Sequence, residues 1–152
     1  MDNVSNYDSA SERIVAVFPQ SALNLYRLIF VTKNAMMKVV DGGEFEVSRH
    51  TVLATTLAEG DEVVSVSVLN TQKTIVLESG DSFYLRFLID EIPEKKKGAL
   101  GVRGMKLVKD DYIRAVYCLD ETDTTSVETS SGKSLALNAL KITGRDLKGS
   151  KK

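Results

Sequence analysis

Cysteine and histidine are nearly absent from the chain. The single cysteine, Cys118, cannot form an internal disulfide, so we expect a reducing compartment. The single histidine, His50, leaves histidine-based triads and metal sites with one candidate, and we interpret it as a surface residue. No Walker loop or nucleotide-binding fingerprint is present. We therefore expect no catalytic residue, no metal site and no cofactor.

Long apolar runs and an excess of charge are also lacking. No run reaches the roughly 18 apolar residues that would indicate a membrane span. Twenty basic and 21 acidic residues among 152 give a formal net charge of −1. The chain as a whole therefore produces no basic field that would attract nucleic acid or an anionic membrane. Binding of that kind has to come from local clusters of charge.

A repeat of 50 residues is the strongest pattern that the chain contains. LAEGDEVVSVSVL begins at Leu57, and LVKDDYIRAVYCL begins 50 residues later at Leu107. A third copy, SERIVAVF, runs from Ser11 to Phe18 and places Glu12 in the position of Asp61. Each copy is an acidic turn followed by alternating apolar residues, which predicts a turn leading into a strand. Such a period indicates a stacked or radial array, because one small unit cannot bury its own apolar face.

The segments between these copies predict β-hairpins. Turn residues occur at Asn34, at 78–81 and at 130–132, each between two apolar runs. Helical periodicity is scarce, and only 21–26 suits one short turn. The predicted strands are 13–18, 26–32, 36–40, 62–69, 74–77, 82–88, 112–119, 126–129 and 134–140.

These patterns predict an all-β, propeller-like fold of about three four-stranded blades. We assign residues 11–148 to this domain, 1–10 to a flexible lead-in and 149–152 to a loose basic tail. The first strand could complete the last unit and so close the array into a ring, and the sequence leaves ring closure and the exact number of blades open.

Two segments concentrate positive charge. Loop 91–107, EIPEKKKGALGVRGMKL, has five basic and two acidic residues, a balance of +3. The tail 141–152 has five basic residues against Asp146, a balance of +4. A basic, glycine-rich loop suits a phosphate backbone, since lysines neutralise charge and glycines allow close approach. A solvated surface loop is the alternative, and Arg103 could instead pair with Asp110 or Asp111.

KKKGALGVRGMKL followed by an acidic turn resembles the C-terminal domain of the A subunit of DNA gyrase and topoisomerase IV. The hairpins FVTKNAMMK at 30–38 and VLESGDSFYLRF at 76–87 match the same family. The resemblance covers about 11–148. It implies a β-pinwheel, a propeller-like ring whose blades exchange a strand and bind and bend duplex DNA on a basic outer rim.

The resemblance further implies a non-catalytic domain of a type IIA topoisomerase. Its partners would be duplex DNA, bound without base specificity, the ATP-hydrolysing B subunit and the rest of the A subunit, with no membrane partner. The family's DNA-cleaving tyrosine lies outside this chain. In gyrase, wrapping of DNA depends on a glutamine-arginine-arginine-glycine-glycine-lysine-glycine box. Residues 95–101 fall at that position but keep only part of the box, so gyrase and topoisomerase IV both remain open.

The resemblance and the basic clusters together predict the residues that contact DNA. They are Lys38, Arg49, Arg86, Lys95, Lys96, Lys97, Gly98, Gly101, Arg103, Lys106, Lys141, Arg145 and Lys148. The rival function is a protein-interaction propeller without a nucleic-acid role, which the near-zero net charge and the incomplete box favour.

Overall fold

The computed structural model describes residues 12–46 and 52–152, and its regular structure is almost entirely β-strand. One short helix, α1, and three single 3-10 turns are the exceptions. The strands are β1 Arg27–Thr32, β2 Met36–Asp41, β3 Val63–Leu69, β4 Thr74–Ser79, β5 Phe83–Leu88, β6 Val102–Arg103, β7 Ile113–Leu119, β8 Ser126–Glu128, β9 Ser134–Ala136, β10 Ile142–Thr143 and β11 Ser150–Lys151. The helix is Gln20–Leu25, and the 3-10 turns are Gly42–Phe45, Ile89–Glu91 and Leu137–Ala139.

Three blades are built on the three hairpins. In the first blade the strand order is β3-β1-β2-β6, and in the second it is β7-β4-β5-β10, with β11 also paired to β5. The third blade consists of β8 and β9 within the described residues. Each of the first two hairpins is thus flanked by strands from later in the chain, so neighbouring repeats exchange strands. The all-β, strand-exchanged prediction is confirmed, whereas the blades have four, five and two strands rather than four each.

Apolar side chains pack between the blades. The first two blades meet through a core that includes Val31, Met37, Leu77 and Phe87, all at most 1% exposed. β1 is buried along both faces, which explains why it appears in the sequence as the unbroken apolar run LIFV. A second cluster around Val76, Tyr84, Leu119 and Leu137 joins the second blade to the third.

The acidic residue of the 50-residue repeat holds the hairpin turns. Asp61 Oδ1 accepts hydrogen bonds from the amides of Asn34, at 3.0 Å, and Glu62, at 2.9 Å. Asp111 Oδ1 does the same for the amides of Asp81, at 3.0 Å, and Tyr112, at 2.8 Å. Each carboxylate therefore ties the start of an outer strand, β3 or β7, to the hairpin turn of the same blade.

The hairpin turns differ from the prediction in one detail. The sequence favours a positive φ at Asn34, but the left-handed residue is Ala35, with φ of 66°, and Ser82 repeats it with φ of 67°. Both loops have three residues, and in such loops the last one is left-handed. Asn34 contributes its amide to Asp61 instead.

Segment 12–18 does not form the strand that the sequence predicts at 13–18. Arg13 reaches Glu62 and the carbonyl of Val63, and Phe18 packs beside the first blade against Leu28 and Phe30. The segment therefore does not complete the last unit, and the described residues show no pairing that closes a ring. Apolar alternation identified a segment suited to a strand, but its contacts are with the first blade and not with β8 or β9.

The short exchanged strands are not visible in the sequence, where they look like loop and loose tail. β11 pairs Ser150 with Tyr84 and Lys151 with Phe83 at the edge of β5. Gly149 precedes it with φ of 81°, and a Cβ there would lie 2.5 Å from the Tyr84 carbonyl oxygen. Only glycine fits this approach. The tail is paired here, and residues 1–10 lie outside the described residues.

No helix among the described residues is long and apolar enough to cross a membrane.

A buried carboxylate lies between the second and third blades. Glu78 is 3% exposed and accepts hydrogen bonds from the hydroxyls of Tyr84, at 2.6 Å, and Tyr117, at 3.0 Å, and from the Arg114 guanidinium. Burial acts to raise the pKa of Glu78, but these hydrogen bonds outweigh it and hold that pKa below its ordinary value. Burial of Tyr84, together with its hydrogen bond to the Glu78 carboxylate, raises the pKa of Tyr84 to about 12.

Removing the turn clamp should destabilise the fold. Asp111→Ala leaves two amides without their charged acceptor, so we expect the free energy of unfolding to fall by about 2 kcal/mol. Asp111→Asn keeps an oxygen acceptor and should lose less. Urea unfolding measures both, with the exposed Glu121→Ala as the control. An unchanged midpoint for Asp111→Ala would contradict the clamp.

Replacing the buried carboxylate should have a pH-dependent effect. Because its folded pKa is depressed, ionised Glu78 contributes its full stabilisation above the unfolded pKa of about 4.3, and that contribution is lost as pH falls through the lower folded value. We expect Glu78→Gln to lower the free energy of unfolding by about 3 kcal/mol at neutral pH. The difference from wild type should shrink in urea titrations as the pH falls below the unfolded pKa, because the stabilisation is lost as the carboxylate becomes protonated. A difference that is constant with pH would argue against the ionised state.

Candidate nucleic-acid interface

The basic loop of the second repeat lies on the first blade. Val39 of β2 donates its amide to the Pro93 carbonyl at 3.1 Å and accepts from the Lys95 amide at 2.8 Å. Further along, β6 pairs Arg103 with Met36 at the outer edge of the same strand. Strand exchange therefore places the charges of one repeat on the rim of its neighbour.

The three consecutive lysines of this loop differ in their surroundings. Lys96 is the most exposed, with 89% of its side chain accessible, and its Nζ lies 3.9 Å from Glu44 Oε1. Lys97 is half-buried, since its amide donates to Glu44 Oε2 at 3.1 Å and its Nζ to the Glu44 carbonyl at 3.0 Å. Lys95 is also half-buried. Lys96 and Lys95 are thus freer than Lys97 to meet an anion.

Acidic side chains reduce the net positive charge around Lys95 and Lys96. A cleft of about 570 Å³ is lined by Lys95 and Lys96 but also by Asp41, Glu44 and Glu94. Three carboxylates facing two ammonium groups reduce the local attraction for an anion. The loop therefore carries less effective positive charge than its sequence suggests.

Lys38 lies in the interior, although the sequence predicts that it contacts DNA. It is 1% exposed, and its Nζ donates to the carbonyls of Lys97 at 2.6 Å, Ala99 at 2.8 Å, Ala54 at 3.2 Å and Lys96 at 3.3 Å. Desolvation lowers the pKa of Lys38, with Lys95 adding to this and Glu44 opposing it. An ammonium enclosed by four carbonyls is not available to a phosphate, so we correct that prediction.

The Arg86 side chain also donates hydrogen bonds within the protein. Its Nε donates to Thr74 Oγ1 at 3.2 Å, and its Nη1 donates to the carbonyls of Asn138 at 2.7 Å and Leu140 at 3.1 Å. These contacts tie the second blade to the turn after β9. Two of the three guanidinium nitrogens of Arg86 are therefore bound within the protein, and its DNA contact stays a prediction.

Two arginines connect the basic tail 141–152 to the basic loop 91–107. Arg103 forms a two-pronged pair with Asp146, Nε to Oδ1 at 2.5 Å and Nη2 to Oδ2 at 3.2 Å, with 53% of its side chain exposed. Arg145 donates to the Arg103 carbonyl at 2.6 Å and to the Glu91 carbonyl at 3.1 Å. Hydrogen bonds from Arg103 hold the pKa of Asp146 below its ordinary value. The partner of Arg103 is therefore Asp146, not Asp110 or Asp111.

Exposed lysines from the tail line the rim of the second blade. Lys148 Nζ lies 4.9 Å, and Lys151 Nζ 5.7 Å, from the centre of the Phe83 ring on β5. Lys106 and Lys141 are also exposed, and the Lys106 amide donates to the Leu147 carbonyl of this segment at 2.9 Å. These side chains remain candidates for an anionic partner.

The predicted glycine contacts serve packing. A Cβ on Gly101 would lie 2.4 Å from the Met37 carbonyl oxygen, so this glycine lets the loop approach β2 rather than a ligand. Gly98 would make an ordinary contact of 3.7 Å with Leu53. Arg49 and His50 lie outside the described residues. No cluster of metal-binding side chains occurs among the residues that the structure describes.

Sequence reasoning missed the partners that decide these roles. Glu44 precedes Lys97 by 53 residues, and Asp146 follows Arg103 by 43. No spacing signal connects such pairs. Only the strand exchange, which brings distant loops onto one blade, accounts for them.

Repeated hairpins that exchange short strands with their neighbours define a propeller-like β-pinwheel. The family model described as the DNA gyrase C-terminal domain, a β-propeller, matches residues 26–70 and 79–120, more than half of the chain. The chain belongs to this family.

Curated relatives agree with this assignment. The chain is 31% identical over 127 residues to the DNA gyrase A subunit of Lawsonia intracellularis, covering 80% of this chain and 16% of that protein. It is 29% identical over 126 residues to the DNA topoisomerase 4 A subunit of Bacillus subtilis, with the same coverage of 80% and 16%. The chain thus spans about a sixth of the length of these relatives.

Solved structures have the same fold. The C-terminal domain of DNA topoisomerase IV superposes with a TM-score of 0.84 at 23% identity, covering 97% of this chain and 47% of that one. The DNA gyrase A C-terminal domain gives 0.70 at 19% identity, covering 84% and 43%. The described fold therefore corresponds to about half of either domain.

The pair between Arg103 and Asp146 should act as a unit. We expect Arg103→Ala and Asp146→Ala to lower the Tm by similar small amounts, and the double variant to add little further loss, since each single change already removes the contact. The effect should fade at high salt because the pair is half-exposed. Thermal scans at low and high salt measure it. Fully additive losses would mean that the two residues act separately.

Proposed function

We propose that this chain is a non-catalytic DNA-binding domain from the A subunit of a bacterial type IIA topoisomerase. Its role would be to hold and bend duplex DNA along the outer rim of its blades. The observation that carries the proposal is the strand exchange. β6 is an outer strand of the first blade and β11 pairs at the outer edge of the second, and exposed basic residues lie on or next to both. Membership of the gyrase C-terminal family supports it.

The mechanism is electrostatic. Lysines on the rim displace counterions from phosphates, which gives affinity without base recognition. The proposed contacts are the exposed or half-exposed basic residues Lys95, Lys96, Lys97, Arg103, Lys106, Lys141, Lys148 and Lys151. Lys38, Arg86 and Arg145 are left out, because carbonyl groups of the protein occupy their donors.

Binding should be weak and should bend rather than wrap DNA. The net charge is −1, and carboxylates of Asp41, Glu44 and Glu94 share the cleft with two of the lysines. The partial match to the gyrase box points the same way. In the assembled enzyme, the ATP-hydrolysing B subunit and the rest of the A subunit would be its protein partners in the bacterial cytoplasm.

A protein-interaction role is the second candidate. A cleft of about 690 Å³ on the outer face of the first blade is lined mainly by apolar side chains, including Phe18, Leu28, Phe30 and Val66. Such a surface suits a protein partner more than a phosphate backbone. This function would stand if the chain failed to bind DNA.

A salt titration tests the DNA proposal. We expect replacement of Lys95, Lys96 and Lys97 by alanine to weaken duplex binding and to flatten the slope of log affinity against log salt by about two units. Each lost phosphate contact contributes about 0.9, and Lys97 is partly engaged by Glu44. Fluorescence anisotropy with two unrelated duplexes of equal length measures the slope and the lack of base preference.

The matched control replaces three exposed lysines that lie outside these segments, Lys33, Lys73 and Lys133. It changes the net charge by the same amount, so it should leave the slope nearly unchanged if the contact is local. Equal effects of both triple variants would point to a diffuse field instead of the rim. A wild-type slope near zero would exclude phosphate contact.

A further inference from the structure

The basic loop on the first blade is held from within by a single ammonium group. Lys38 projects from β2, and its Nζ donates to the carbonyls of Lys96, Lys97 and Ala99, at 3.3, 2.6 and 2.8 Å. Its fourth acceptor is the carbonyl of Ala54, at 3.2 Å. One side chain therefore connects two long loops that are more than 40 residues apart in the chain.

Hydroxyl groups of the loop that contains Ala54 donate to carbonyls of the same segment, 96–99. Thr56 Oγ1 donates to the Gly98 carbonyl at 2.6 Å, and Thr55 Oγ1 lies 3.4 Å from the Ala99 carbonyl. Every carbonyl from Lys96 to Ala99 thus accepts a hydrogen bond from Lys38, Thr55 or Thr56. The Lys96 side chain itself remains 89% exposed.

The chemistry explains why lysine occupies this interior position. Burying a charged group is costly unless hydrogen bonds satisfy it, and buried carbonyls are costly unless they find donors. The ammonium carries three N–H donors and can serve several carbonyls that converge from different directions. An apolar residue of similar length would fill the space but would remove the ammonium donor from all four carbonyls.

We propose that Lys38 is a positioning residue, whose ammonium fixes the backbone of residues 96–99 so that Lys95 and Lys96 are presented to the DNA backbone. Lys38 does not itself touch DNA. This inference rests on the proposed function, and it assigns a separate role to a basic residue that sequence alone groups with the DNA contacts.

A double-mutant cycle distinguishes positioning from direct contact. In the full 152-residue chain, Lys38→Met should weaken duplex binding about fivefold, in the range of couplings between contacting residues. In a chain that already carries Lys95→Ala and Lys96→Ala, the same change should alter affinity by less than about twofold. Equal losses in both backgrounds would mean that Lys38 meets DNA directly, which would overturn the proposal.

Hydrogen exchange provides a readout that does not depend on DNA. Amides of residues 95–101 should exchange faster in Lys38→Met than in the wild type, because the loop has lost its central donor. The matched control is Val40→Ala, a fully buried change on the same strand that removes no donor from the loop. It should lower stability while leaving both loop exchange and DNA affinity unchanged. Unaltered loop exchange in Lys38→Met would overturn the proposal.

A milder variant covers the case in which Lys38→Met does not fold. Thr56→Val removes the hydroxyl that holds the Gly98 carbonyl, at an exposed position where folding is not at risk. It should speed exchange of the same amides and weaken DNA binding to a smaller degree, and no change in either would count against the proposal. If wild-type protein failed to bind DNA, the proposed function would fall and the DNA-presenting role with it, while exchange would still decide whether Lys38 holds the loop.

Discussion

Face-to-face packing of blades is the constraint on which the rest of the structure depends. A hairpin such as β1–β2 has apolar side chains on both faces, so it cannot be stable in water without a neighbour on each side. Val31 and Met37 meet Leu77 and Phe87 of the second blade, and these are among the most buried side chains of the chain. The period of 50 residues exists because each repeat must supply one such blade.

Strand exchange places the basic residues of one repeat at the outer edge of the neighbouring blade. The connection from one blade to the next passes the edge of the previous hairpin, where two-residue strands pair with its free side. These short strands are held by backbone hydrogen bonds, so the side chains of Arg103 and Lys151 can be basic. Gly101 and Gly149 allow the backbone of each segment to approach the hairpin closely. The outer rim therefore gains charge without disturbing the core, and a chain with net charge −1 can still present basic residues along one edge.

The sequence predicted most of the hairpin strands because their cores impose a clear apolar pattern. β1, β3, β4 and β7 lie within a residue or two of the predicted ranges. Segment 13–18 carries the same pattern and forms no strand, since an apolar pattern does not reveal which partner a segment packs against, and this one contacts the first blade through side chains. The exchanged strands have two residues each and no pattern to detect. The repeated acidic residue is visible in the sequence, but its task of binding the hairpin amides emerges only from the structure.

The basic residues show most clearly where sequence reasoning stops. Lysine and arginine donate hydrogen bonds to any oxygen, and a protein carbonyl competes for the same donors as a phosphate. Lys38 and Arg86 are among the DNA contacts predicted from the sequence, yet each donates to backbone carbonyls of the protein. Lys96, one residue from the carbonyl that Lys38 binds most closely, is almost fully exposed. Charge therefore selects the candidates, but the acceptors already present inside the fold decide which of them are left to bind a partner. If the proposed function holds, the affinity of the rim for DNA would depend on the number of basic residues whose donors are not already bound to oxygens of the protein.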